Sequence, residues 1–218
     1  MPKLKEHLLP HIKSILLKEA ASKPDTHHPQ AGLTPVNHIA SPGHHERDEV
    51  FLKNDRIYEH HLARFNYTTY DVRRSQDVIN PRTSHCDVVL LANSNGENHP
   101  NADHPFLYAR VLGIYHANVV YRGEGMLDYQ PRRIEFLWVR WFQYDGARSV
   151  DWKDLRLDPV RFPPLVSEAA FGFVDPVDVL RGCHIVPAFS RGKHHSDGVS
   201  ISRCANDGKD WTCFYVNR

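Results

Sequence analysis

The chain has no Cys-x-x-Cys pair. Its four cysteines stand apart at 86, 183, 204 and 213, so the usual zinc-ribbon spacing is absent. No apolar run approaches the roughly 20 residues of a membrane span. The N-terminal stretch alternates apolar with charged residues and lacks the uninterrupted apolar core of a secretory signal, so the expectation is an intracellular protein with no membrane contact. A P-loop, a Gly-rich dinucleotide turn, a nucleophile elbow and a His-Glu-x-x-His motif are all missing. A large charge of either sign is missing too: the formal net charge is +1. That argues against a whole-protein electrostatic grip on nucleic acid but leaves room for a local patch.

What is present is an ordinary soluble composition, 41% hydrophobic and 24% charged over 218 residues, enough for one domain with tails. The 16 histidines are unusual, and several come as doublets (His27-His28, His44-His45, His60-His61, His194-His195). Adjacent histidines diverge on a helix and oppose each other on a strand, so a doublet is a poor chelate and reads as solvated. No metal ligand set and no cofactor is expected. Cys86 and Cys183 sit in or beside apolar strands and read as core thiols. Cys204 and Cys213 could pair in an oxidising compartment. Asp71, Asp77 and Asp87 have arginines near them and read as ion-pair partners. No catalytic residue emerges, and a metal-dependent enzyme would rest on the histidine count alone.

The densest apolar run is Arg132-Arg133-Ile134-Glu135-Phe136-Leu137-Trp138-Val139-Arg140-Trp141-Phe142. It is rich in residues suited to a pleated surface. Ile134, Phe136 and Trp138 share one face; Leu137, Val139 and Trp141 share the other. With both faces apolar, this reads as a central strand covered on both sides. Runs at 106–116 and 177–189 are expected to pack around it.

In chain order, residues 1–20 read as an amphipathic helix, with Pro10 either opening it or splitting it in two. This helix either docks a partner or packs on its own domain. Residues 21–47 are rich in proline and polar residues and read as a disordered linker. Residues 48–218 form the β-rich domain. Within it a short hairpin is expected at 50–58, turning at Asn54-Asp55. A strand is expected over 66–74, another within 84–92, and an irregular excursion at 149–168. Asp175 should cap a short helical turn that opens on Pro176 and runs to Gly182. Residues 211–216 read as a last strand, close enough to the end to suggest a piece of a longer protein. The expected fold class is mainly β, a bent antiparallel sheet or distorted barrel with an N-terminal helix.

Two surfaces are candidate sites. The first is aromatic: Trp138, Trp141, Tyr144 and Trp152, with Tyr108 on the preceding strand. Aromatics around a cation can read methyl-lysine, although the same residues can equally be core. The second is basic and aromatic: Arg64, Tyr67, Tyr70, Arg73, Arg74 and Arg82. Such a set can meet nucleic acid, or be a solvated strand face.

Several motifs carry a resemblance to a known family. Lys3-Leu4-Lys5-Glu6-His7-Leu8-Leu9-Pro10, Asn66-Tyr67-Thr68-Thr69-Tyr70-Asp71-Val72-Arg73-Arg74, Ile79-Asn80-Pro81, His104-Pro105-Phe106-Leu107-Tyr108-Ala109-Arg110-Val111, the 135–142 segment and Arg181-Gly182-Cys183-His184 resemble the C-terminal region of fungal Plavaka-type transposon proteins, relatives of the CACTA (En/Spm) group. The strand order around Ala109-Arg110-Val111, Val139-Arg140-Trp141-Phe142 and 178–186 is also similar to a bromo-adjacent homology (BAH) domain, a β-rich chromatin module. These resemblances imply a non-enzymatic, nuclear interaction module with a protein or chromatin partner, which could be the rest of a transposase. The alternative they imply is a DNA-binding accessory domain of a transposase. The carboxylate triad of an RNase H-like transposase core is not recognisable.

Overall fold

The computed structural model describes residues 1–22, 46–68, 71, 73–92, 104–123, 129–145 and 157–217. The expected linker falls mostly outside these residues, as do Tyr70 and Trp152. The chain divides into two compact units, each made from two separate segments.

One unit comprises Met1–Tyr58 and His116–Ile134. Helix α1 runs unbroken over Pro2–Ser22 with Pro10 inside it, so the proline neither opens nor splits the helix. Pro10 is on the exposed side, where its ring meets solvent. Leu4, Leu8 and Ile12, at steps of four, are the buried stripe. Ion pairs join the opposite charges of this unit: Lys13 Nζ to Glu46 Oε2 at 2.6 Å, Arg132 Nη2 to Glu19 Oε2 at 2.6 Å, and Arg47 to Glu6. Strand β1, Val50–His60, begins here. The hairpin expected at Asn54-Asp55 is instead one strand, although both residues hold left-handed backbone, φ 59° and 51°. Asn and Asp tolerate that region better than most. β1 pairs with β5, Phe106–Tyr121.

The other unit comprises Glu59–Tyr115 and Glu135–Arg218. Its main sheet joins β4 (Asp87–Leu91), β5, β6 (Arg132–Trp141), β9 (Phe171–Val174) and β10 (Val179–Gly182) in the order β10-β4-β5-β6-β9. Successive side chains leave opposite faces, and both faces are buried. Val88, Leu90, Leu107, Ala109, Val111, Leu137, Val139 and Trp141 enter one core cluster. Val89 and Tyr108 enter the other. On β6 itself Leu137, Val139 and Trp141 enter the first cluster while Ile134 and Phe136 are buried on the opposite face, so the central strand inferred from 132–142 is covered on both sides.

The first cluster is closed by Phe65 and Ile79. These belong to a two-stranded ribbon, β2 (Ala63–Thr68) with β3 (Arg74–Ile79). The single strand expected over 66–74 is thus two antiparallel strands, with Thr68 opposite Arg74. The second cluster is closed by a sheet of β7 (Gln143–Tyr144), β8 (Asp158–Arg161), β11 (His184–Pro187) and β12 (Phe214–Asn217), ordered β11-β12-β8-β7. β8 lies where irregular chain was expected. Pro159 keeps its carbonyl in use, accepting the Asp145 N–H at 2.8 Å.

Asp175 caps its turn as expected, accepting the Val177 N–H at 2.9 Å ahead of Pro176. The turn ends at Asp178 rather than Gly182, because 179–182 pairs with β4 as a strand. The fold is mainly β with an N-terminal helix. Among the described residues no sheet closes into a barrel, and the distorted-barrel alternative is set aside. No helix among them is long and apolar enough to cross a membrane.

Candidate functional site

Among the described residues, the predicted aromatics Trp138, Trp141, Tyr108 and Tyr144 do not converge. Trp138 and Trp141 are three residues apart on β6 and leave opposite faces. Trp138 is half-buried and stacks on Phe171, with ring centroids 6.1 Å apart. Trp141 is 8% exposed inside the first core cluster. Its indole nitrogen lies 2.5 Å from where a Cβ on Gly172 would sit. Tyr108 and Tyr144 lie elsewhere, in a polar nook of the second cluster. The Tyr108 hydroxyl donates to Asp158 Oδ2 at 3.0 Å, and His104 Nε2 lies 3.4 Å from the same oxygen. The His104 ring stacks on Tyr144 at 5.1 Å. At 1% exposure, Tyr108 offers no face to a ligand.

A cation does sit among aromatic rings in this unit, but it belongs to the chain. The Arg110 guanidinium lies over Phe142, Phe162 and Phe214 at 5.4, 5.1 and 5.5 Å. It grips Asp87 in bidentate fashion, Nε to Oδ1 at 2.8 Å and Nη2 to Oδ2 at 3.1 Å. Burial alone would lower the Arg110 pKa, but the adjacent Asp87 charge outweighs it and holds the guanidinium protonated. Beside the pair, burial and then the Asp87 charge push the Cys86 thiol up to about 12. Burial does the same, in direction, to Cys183. Both thiols are protonated at neutral pH and are poor nucleophiles.

The Asp87–Arg110 pair lies on the wall of a cleft of about 650 Å3. One side of the cleft is β11, which is the end strand of its sheet. Along it run Phe189 and Trp211, edge to face at 5.0 Å. Phe189 is 66% exposed. Arg82 and Lys209 bring positive charge, and His184 reaches from β11. A smaller cleft of about 530 Å3, lined by Asp77, Arg181 and Cys183 among others, shares Asp87 and His184 with the first. Within the described residues no group of three or more His, Cys, Asp or Glu side chains could hold a metal.

The predicted basic set is divided by the ribbon's two faces. Arg64 and Arg74 point outward and are exposed. Tyr67 turns inward, and the Arg181 guanidinium covers its ring at 4.8 Å. Arg73 pairs with Asp71 at 2.9 Å, and Arg82 with Glu59 at 3.7 Å. The three aspartates read as ion-pair partners all have an arginine: Asp71 with Arg73, Asp77 with Arg181 at 3.8 Å, and Asp87 with Arg110.

Phe189, Trp211 and Lys209 were not legible as site residues. Phe189 ends the run expected to pack on the central strand, Trp211 opens the last expected strand, Lys209 lies in a stretch given no reading, and only the fold brings them to one cleft. Comparison of the chain with protein-family models, curated proteins and solved structures finds no match.

Proposed function

We propose that this chain is a non-enzymatic, transposon-derived interaction module. In this reading it takes an extended, acidic segment of a protein or chromatin partner into the cleft along β11. The observation that carries it is an end strand lining a cleft whose rim holds the exposed Phe189 against the half-buried Trp211. An end strand has one row of backbone N–H and C=O groups without a ladder partner, and an extended peptide can add to it as a further strand. Phe189 and Trp211 supply the aromatic anchors that dominate such interfaces. Arg82 and Lys209 favour acidic side chains. Binding rather than covalent chemistry is supported by the two thiols near the cleft, which burial keeps protonated.

The test is a fluorescence titration of the full chain with a panel of acidic peptides and modified histone-tail peptides. An acidic peptide should bind, and Phe189→Ala should weaken it by about 5- to 30-fold, the loss of one anchor of roughly 1–2 kcal/mol. Phe189 is exposed, so the variant keeps its fold. Binding untouched by Phe189→Ala, or no binding to any peptide, would overturn the reading.

A further inference from the structure

The outer face of the β2–β3 ribbon carries a second binding chemistry. Phe65 and Ile79 on its inner face are buried in the core cluster. Asp77 accepts the Gly182 N–H at 2.9 Å, and Tyr67 is covered by Arg181. Both of these inner polar side chains are thus occupied. The outer face is Arg64, Asn66 and Thr68 on one strand and Arg74, Gln76 and Val78 on the other, all exposed. It contains no acidic residue.

The register orders this face. Arg64 stands opposite Val78, Asn66 opposite Gln76, and Thr68 opposite Arg74. The two amides hydrogen-bond to each other, Gln76 Nε2 to Asn66 Oδ1 at 2.8 Å. That bond fixes both side chains and leaves an amide donor on Asn66 and an acceptor on Gln76 facing out. The arginines flank this amide pair from opposite strands. They are offset by four residue steps along the ribbon, about 14 Å at the usual rise. Among the described residues neither arginine makes an ion pair.

We infer that this face binds duplex DNA in the major groove. B-DNA admits a two-stranded ribbon there, in a groove about 12 Å wide. With the amide pair over the groove floor, the arginines lie on opposite strands, so each reaches a phosphate on the nearer wall, offset along the groove. Asn and Gln are the side chains that pair with the adenine edge, and the exposed Val78 and the Thr68 methyl suit thymine methyl groups. An A-form RNA duplex is a poor match, because its major groove is too deep and narrow for side chains to read. A modest net charge does not oppose this, since the interaction needs only a local patch. The inference is independent of the cleft.

The experiment is a fluorescence-anisotropy titration of the full chain with a random-sequence 30-base-pair DNA, repeated at several salt concentrations. A selection from a random pool runs beside it. Wild-type binding should weaken steeply with salt. Replacing both Arg64 and Arg74 by Ala should flatten the slope of log K against log salt by about 2, roughly 0.9 for each phosphate no longer neutralised. Asn66→Ala with Gln76→Ala should keep that slope but lose preference for the selected site, by roughly 5- to 150-fold. These four side chains are exposed, and circular dichroism should show every variant folded. Absence of duplex binding, an unchanged salt slope without the arginines, or equal affinity for an RNA duplex would each overturn the inference.

Discussion

Arg140 and Asp210 form an enclosed ion pair, Nη1 to Oδ2 at 2.6 Å with side chains 4% and 5% exposed. Burial lowers the arginine pKa and raises the aspartate pKa against their mutual attraction, the signature of a pair that is costly to desolvate. Arg140 Nε has no hydrogen-bond partner, and the guanidinium lies 3.8 Å from the Phe162 ring centroid. Asp210→Asn should therefore destabilise by about 3–5 kcal/mol in urea unfolding, whereas Arg140→Met with Asp210→Leu should lose much less. Asp207 behaves differently. Burial would raise its pKa, but backbone N–H groups of Ser202 and Ile201, at 2.9 and 3.0 Å, hold it below the ordinary value of 3.8. A depressed carboxylate contributes stability above its unfolded pKa and loses it as pH falls through the folded one. Asp207→Asn should lower stability at pH 7 and flatten the loss of stability below about pH 4, measured by thermal unfolding across pH. All four cysteines are free, and only Cys204 is exposed. A thiol reagent should titrate one group quickly in the native protein and four after unfolding.

Among the secondary-structure elements, α1 and β9 offer the clearest tests. Pro10 removes one backbone hydrogen bond from the interior of a 21-residue helix. Pro10→Ala should raise the stability of the helix-bearing unit by up to about 3 kcal/mol, seen as a higher unfolding midpoint. Gly172 lies against the Trp141 indole with no room for a methyl. Gly172→Ala should cost about 1–3 kcal/mol through strain between β9 and β6. The same elements show what local pattern could reveal. The alternation of Leu137, Val139 and Trp141 against Phe136 and Trp138 announces β6, because a strand covered on both faces needs apolar residues at every step. The break of 66–74 into two strands has no such signal. Tyr67, Thr68 and Arg74 suit a continuous strand as well as a hairpin, and only the pairing with a partner strand chooses. For the same reason 179–182 resembles the end of a helical turn until β4 pairs with it.

In the molecule taken whole, the helix-bearing unit draws on residues far apart in sequence, 1–58 and 116–134. Deleting residues 1–22 removes Leu4, Leu8 and Ile12, which are 4%, 0% and 0% exposed. Each is worth about 2–5 kcal/mol when truncated in a core, so a fragment 23–218 should show a lowered unfolding midpoint by circular dichroism. Binding experiments therefore belong on the full chain. The mainly β class and the central strand were both readable from composition and period, because they follow from which side chains a pleated sheet can bury. The buried character of Cys86 and the arginine partners of Asp71, Asp77 and Asp87 were readable in kind for similar reasons. The candidate sites were not. Strand alternation already put Trp138 and Trp141 on opposite faces; what only the fold shows is that Trp141 is core and that Tyr108 and Tyr144 lie elsewhere. Asn66 and Gln76 look ordinary until antiparallel register sets them side by side. Phe189 and Trp211 meet beside β11 across 22 residues of chain. Local periodicity encodes which residues are buried; long-range pairing alone decides which of the remaining ones face the same way.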